Sequence, residues 1–412
     1  MKANSIFKKS ILVASILAVT ACNTSDETIG QASSSKTVGV ITGFGSIYVN
    51  GVKYETDSAS VKIDGASSFE TSLGVGDVIT LEGTVNPDGT TGIATAVSCN
   101  DELEGYVLDV SGLLGDGTGN LNVMGQTVKI TADTVFNSDT MASITELNAQ
   151  DIVEVSGFPD GTGVILATRI ETKNAAEDVE VKGVITALDT TALTFKIGGL
   201  SVSYSNASEV PSSLVDGLFV EVKTNTALSG DLNTGFVLDA TKVELEDDDS
   251  DFDGAEGDEI EMQGIVSEIN DTGFNFNGTR VEFSSLDLDD NFDVNSLVSG
   301  AVITVEGYID ANGNFIVEEI EEEHESEDEV KGTVTAVTAS SVTIIIDGVT
   351  EKTFSVNNDT RMIDEQDEGV VPLHYFSLAD VKVGEYLEVE YFTDGNGNDI
   401  ATEVKREDAP QG

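Results

Sequence analysis

Residues 39–54 read Gly39-Val40-Ile41-Thr42-Gly43-Phe44-Gly45-Ser46-Ile47-Tyr48-Val49-Asn50-Gly51-Val52-Lys53-Tyr54. Two patterns follow one another here. Gly39, Ile41 and Phe44 set out a glycine, an aliphatic two places on and an apolar residue three places after that. Ile47, Val49 and Gly51 then alternate with Tyr48 and Asn50. A period of two is the signature of a strand with one buried face, and the closing glycine suits a turn that needs positive φ.

Both patterns recur. The first returns at Gly105-Tyr106-Val107, Gly183-Val184-Ile185, Gly264-Ile265-Val266 and Gly332-Thr333-Val334, at intervals of 66, 78, 81 and 68 residues. The second returns at Leu121–Gly125, Phe195–Gly199, Phe274–Gly278 and Ile344–Gly348. A third phrase, an acid or glycine before alternating apolars, occurs as Gly76–Gly83, Asp151–Gly157, Gly217–Val222, Gly300–Gly307 and Gly384–Val389. A fourth closes each unit: Ala94–Val97, Ala167–Ile170, Ala240–Val243, Val317–Ile320 and Ala401–Val404. Asp88-Gly89, Asp160-Gly161, Asn312-Gly313 and Asp394-Gly395 lie between the third and fourth phrases, where such dipeptides favour two-residue hairpins.

These phrases predict an all-β chain of five tandem small β-barrel (OB-like) domains, each of about five strands, joined by acidic linkers. The alternative for each unit is a small open β-sandwich. The expected boundaries are repeats at 37–104, 105–180, 181–246, 261–320 and 330–407, with acidic linkers at 247–260 and 321–329 and a tail at 408–412. The full form of the phrases, Gly39 to Tyr54 above all, resembles the bacterial family called domain of unknown function 5666, and the likeness runs from residue 37 to about 407. It is best in repeats 1, 4 and 5; repeat 3 departs at Pro211 and at Ser229-Gly230-Asp231, and repeat 2 has an insertion at Gly112 to Gly119. The resemblance implies tandem copies in an exported, often lipidated protein, and no functional residue comes with it.

The N-terminus reads as an address. Lys2, Lys8 and Lys9 precede the short apolar run Ile11 to Ala21, which is too short to span a bilayer as a helix. Val19-Thr20-Ala21-Cys22 resembles the lipobox of bacterial lipoprotein precursors, which implies that residues 1–21 are a lipoprotein signal peptide and that Cys22 is lipidated. Asn23 after it implies sorting to the outer membrane, facing the periplasm or cell surface. The competing reading is ordinary secretion. Residues 22–36, polar and serine-rich, read as a flexible tether. Lipidation would leave Cys99 without a partner in an oxidising compartment. It shares the face of Val97 and is expected to be buried, with Asp101 and Glu102 raising its pKa.

Charge narrows the partners. The chain has 75 Asp and Glu against 20 Lys and Arg, a net charge of −55. Nucleic acid needs cations that displace its counterions, so it is excluded as a partner. There is no Trp for a tryptophan sugar platform, and two His cannot make a multi-histidine metal site in one subunit. Asp249, Asp251 and Asp253, followed by Gly254, match the opening of a calcium loop, but the closing position holds Ile260 between Glu259 and Glu261. Calcium is therefore one expectation and a solvated acidic linker the other. His324, within the acidic run Glu318 to Glu329, could ligate a divalent ion or sit in an exposed hinge. Asp394, Asn396 and Asn398 suit calcium or a hairpin tip. Gly112 to Gly119 lacks the helix of a phosphate cradle.

The function expected from these features is a non-catalytic, lipid-anchored cell-envelope protein: a β-repeat scaffold or binding module held to the membrane through its N-terminal lipid. The alternatives are a calcium-dependent binder of envelope glycan or protein, and a hydrolase with a site of unrecognised type. The first consequence is direct. Cys22→Ser should move the protein from the membrane to the soluble fraction; a wild-type chain that is already soluble, with an unacylated N-terminus by mass spectrometry, overturns the lipoprotein reading.

Overall fold

The computed structural model describes residues 34–407 apart from 88, 139, 174–178, 232–234, 246–254, 289–291, 293, 295–296, 313, 323–327, 347, 358–359, 365–376 and 394–396. The signal peptide, Cys22, Asp249, Asp251, Asp253, His324, His374, Asp394 and Asn396 lie outside the described residues.

The described chain is β-sheet with four single-turn 3-10 helices. Repeat 2 displays the unit most completely. Its strands are Leu103–Leu113, Gly119–Val123, Gln126–Ile130, Ile152–Pro159 and Val164–Lys173. The first pairs antiparallel with the second and the second with the third. The third runs parallel to the fifth, the fifth antiparallel to the fourth, and the fourth antiparallel to the first. The ring closes in the order 1-2-3-5-4-1, a five-stranded Greek-key barrel of OB type.

Repeats 1, 3, 4 and 5 are variations on this ring. In repeat 5 the third and fifth strands meet at one parallel pair, Ser355–Ile400. In repeat 4 a lone parallel bridge between Leu286 and Val317 joins those sides. In repeat 3, where the sequence departs from the pattern, the fifth strand is split into Gly235–Asp239 and Lys242–Leu245. A bulge bends the fourth strand at Glu82/Gly83, Ser156/Gly157, Glu306/Gly307 and Glu390/Tyr391. A Cβ at Gly83, Gly157 or Gly307 would collide with the carbonyl oxygen of Ile93, Leu166 or Ile316, which explains the glycine that closes the third phrase.

The strands run further into the expected tether and linkers than their polar composition suggests. The first strand of repeat 1 begins at Ser34, the first of repeat 4 at Glu259 and the first of repeat 5 at Asp328, while the last of repeat 4 reaches Glu322. Each extension gains ladder hydrogen bonds from a neighbour. Ser35–Val38 pairs with Gly83–Thr80 on one side and with Glu259–Met262 on the other.

The five barrels are as expected, and that second pairing adds how they associate. The first strands of repeats 1 and 4 run parallel and merge two barrels into one twelve-stranded sheet. The first strands of repeats 2 and 3 meet antiparallel at Leu103–Val181 and Glu104–Glu180, merging two more into a thirteen-stranded sheet. The apolar core of repeats 2 and 3 is continuous, and Val38 of repeat 1 packs in the core of repeat 4. Repeat 5 keeps a six-stranded sheet and a core of its own.

Residues 328–407 should therefore fold alone, with a β-rich far-UV spectrum and a cooperative melt, whereas residues 182–245 of repeat 3 should not. A random-coil spectrum for the first fragment would mean that repeat 5 depends on its neighbours.

Candidate functional site

Five contacts tie four repeats into a ring. Val40 N–H of repeat 1 donates to Gln263 Oε1 of repeat 4 at 3.1 Å, and Ser267 Oγ of repeat 4 donates to the Asp160 carbonyl of repeat 2 at 2.7 Å. Val78 N–H of repeat 1 donates to Ser156 Oγ of repeat 2 at 2.8 Å. Met362 N–H of repeat 5 donates to the Thr42 carbonyl of repeat 1 at 2.9 Å, and Arg361 pairs with Asp133 of repeat 2 at 3.2 Å. At their junction lies a cleft of about 680 Å³. Repeat 1 lines it with Thr42 and Asn50, repeat 2 with Thr131 and Phe158, repeat 4 with Gln263 and Ser299, and repeat 5 with Asn357, Phe392 and Thr402. No single repeat could form it.

Gln263 shows how the repeats adapt to each other. In repeat 4, Asn277 Oδ1 accepts the Ile265 N–H at 2.9 Å. The equivalent Asn50 of repeat 1 donates to the Val38 carbonyl at 3.1 Å, but the equivalent Val40 N–H goes to Gln263 instead. The Asn50 Oδ1 is left buried without a partner.

Two of the four arginines in the chain are buried between repeats. Arg169 of repeat 2 holds Asp77 of repeat 1 at 3.1 Å and Glu171 at 2.9 Å, and donates to the Val75 carbonyl at 3.1 Å. Burial pushes the Asp77 carboxyl up, and the guanidinium pulls it back. Arg361 joins Asp133 to Glu403 of its own repeat, the latter at 2.8 Å. Sequence reading missed both. Arg169 occupies a place in the fourth phrase filled elsewhere by Ala96, Lys242, Glu319 and Glu403. Scarcity of arginine was the available signal.

Carboxylates face one another across the strands with few cations between them. Glu171, Glu154, Glu104 and Glu180 stand in one row across repeat 2 into repeat 3. Lys173 serves one end, 2.6 Å from Glu154 and 3.5 Å from Glu171. Beside the cleft, Glu261, Glu306 and Glu319 form a second row. Burial, then Glu319 and Glu259, pushes Glu306 up to about 7. Burial and then Glu154 do the same to Glu104, also about 7. Cys99 is 3% exposed, as expected. Its thiol is pushed well up, chiefly by burial and then by Asp77 and Asp101. Among the described residues no group of three or more His, Cys, Asp and Glu is placed to hold a metal.

Five barrels with this recurring phrase set decide the affiliation. The chain belongs to the family Domain of unknown function (DUF5666). It matches at residues 37–98, 104–171, 182–244, 263–321 and 331–405, and so over most of its length. No curated protein matches it in sequence. Among solved structures it is similar to one described as drosophila Unr CSD456, at 15% identity over 55% of this chain and 96% of that one, with a TM-score of 0.12. Another is a multidomain protein with nucleic acid binding domains from Streptococcus pneumoniae, at 12% identity over 54% of this chain and 72% of that one, with a TM-score of 0.15.

The carboxylate rows of this DUF5666 chain set an unusual pH dependence. A carboxyl at about 7 in the folded state and near 4.5 when unfolded binds more protons folded, so its penalty is full above pH 7 and fades as pH falls toward 4.5. Thermal stability should therefore rise on acidification from pH 8 to 5. Glu306→Gln should stabilise the protein by about 1–3 kcal/mol at pH 8 and flatten that rise. A melting temperature that falls steadily from pH 8 to 5 overturns the assignment.

Proposed function

We propose that this DUF5666 protein is a non-catalytic, lipid-anchored envelope protein whose repeats assemble a single binding cleft for a short segment of envelope glycan. The observation that carries the reading is the cleft at the junction of four repeats. Its amide and hydroxyl side chains, Thr42, Asn50, Thr131, Gln263, Asn357 and Thr402, suit a hydroxyl-rich ligand, and Phe392 offers an apolar ring face. The lipobox-like Val19 to Cys22 supports a membrane-anchored position for such a cleft. The excess of 75 acids over 20 bases favours glycan over nucleic acid.

The test is calorimetry of the mature full-length chain against lipopolysaccharide core oligosaccharides and peptidoglycan fragments. Ser299 is an exposed residue of the cleft wall. Ser299→Trp should weaken binding about tenfold or more with an unchanged melting temperature. Binding that ignores this substitution, or no binding to either class, overturns the reading.

A further inference from the structure

Repeats 1 and 4 share one ladder and repeats 2 and 3 another, but repeat 5 shares none. Among the described residues its strands pair only with each other, and its apolar core is its own. Yet it supplies one wall of the cleft, with Asn357, Phe392 and Thr402. Two adjacent residues bond that wall to its neighbours. Met362 N–H donates to the Thr42 carbonyl of repeat 1 at 2.9 Å. Arg361 donates to the Asp133 carbonyl of repeat 2 and pairs with its carboxylate at 3.2 Å.

These bonds can part without leaving a charge bare. Arg361 keeps Glu403 of its own repeat, 2.8 Å away, whether or not repeat 5 is docked. The Asp133 side chain, already 28% exposed, would turn to water. Long-range charge also works toward separation. Residues 328–407 hold 17 acids and 6 bases, and the chain as a whole carries a net −55, so repeat 5 is repelled by the body it docks on.

We infer that repeat 5 is a movable wall of the cleft, that Arg361 is the positioning residue that latches it to Asp133, and that a ligand spanning the cleft draws it shut. A ligand that touches Phe392 on repeat 5 and Gln263 or Thr131 on the other repeats makes all its contacts only in the docked arrangement. It therefore binds that arrangement more tightly and shifts the population toward it. The ligand's part rests on the glycan reading above; the latch does not.

The test is residue-resolved hydrogen exchange by NMR on the mature full-length Cys22→Ser chain. The acceptor of the Met362 amide lies in repeat 1, so undocking frees that amide while the ladder between Ser341–Ile346 and Thr350–Ser355 stays closed. Met362 should exchange at least tenfold faster than the protected amides of that ladder. Asp133→Lys sets a cation against Arg361 and keeps the Arg361–Glu403 pair; it should speed Met362 a further tenfold or more and leave the ladders of repeats 2 and 5 unchanged. Asp133→Ala should act in the same direction and less strongly. A lipopolysaccharide core oligosaccharide or peptidoglycan fragment that binds by calorimetry should slow Met362 in the parent chain tenfold or more. Met362 exchange as slow as that of the ladder, or indifferent to both Asp133 substitutions, overturns the latch. An oligosaccharide that binds without slowing Met362 overturns ligand-driven closure alone. Failure of every oligosaccharide to bind overturns the glycan reading and closure with it, while the latch is decided on the free protein.

Discussion

The parallel ladder between Ser35–Val38 and Glu259–Met262 sets the arrangement of the molecule. It joins the first repeat to the fourth, so the two intervening repeats must loop back on themselves. They do so by pairing their own first strands at Leu103 and Val181. A barrel of roughly 65 residues buries little apolar surface and is marginal alone. Using the first strand twice, once to close its own barrel and once to extend into a neighbour, covers an edge and enlarges the shared core. The cleft follows from that closure, because repeats 1, 2, 4 and 5 are brought to one junction.

Scarcity of positive charge shapes the interfaces. With so few cations, a buried guanidinium is a strong determinant of which surfaces meet. Replacing Arg169 while the interface stays closed would leave the Asp77 carboxyl buried without its cation, a loss that typically costs about 3–5 kcal/mol. Arg361 has the equivalent place between Asp133 and Glu403. The same scarcity leaves Glu104 and Glu306 facing other carboxylates across the ladder. Like charges directly opposite one another destabilise a sheet, and burial together with the facing carboxylates pushes both groups up.

A binding role fits this construction. Barrels of one kind, repeated and fused, offer rigid walls with varied loops, and the junction between them supplies a concavity that a single small barrel lacks. The polar side chains at the junction come from separate repeats, so the cleft depends on the assembly rather than on one copy. An anchored N-terminus would hold that cleft within reach of envelope polymers.

Local physics made the barrels legible in the chain itself. Alternation of Ile47, Val49 and Val52, the recurring bulge glycines and the hairpin dipeptides act over a few residues, and they specify strands and turns wherever they occur. The order in which repeats associate was not legible. Val40, Ile265 and Val184 occupy equivalent places and read alike, yet the first two are buried against each other and the third is exposed. Arg169 looked like any outward charge in the fourth phrase. The chain by itself determined five small barrels; only the tertiary structure decided the partners of each barrel, because that choice rests on contacts between residues some 80–230 positions apart, where no local period carries information.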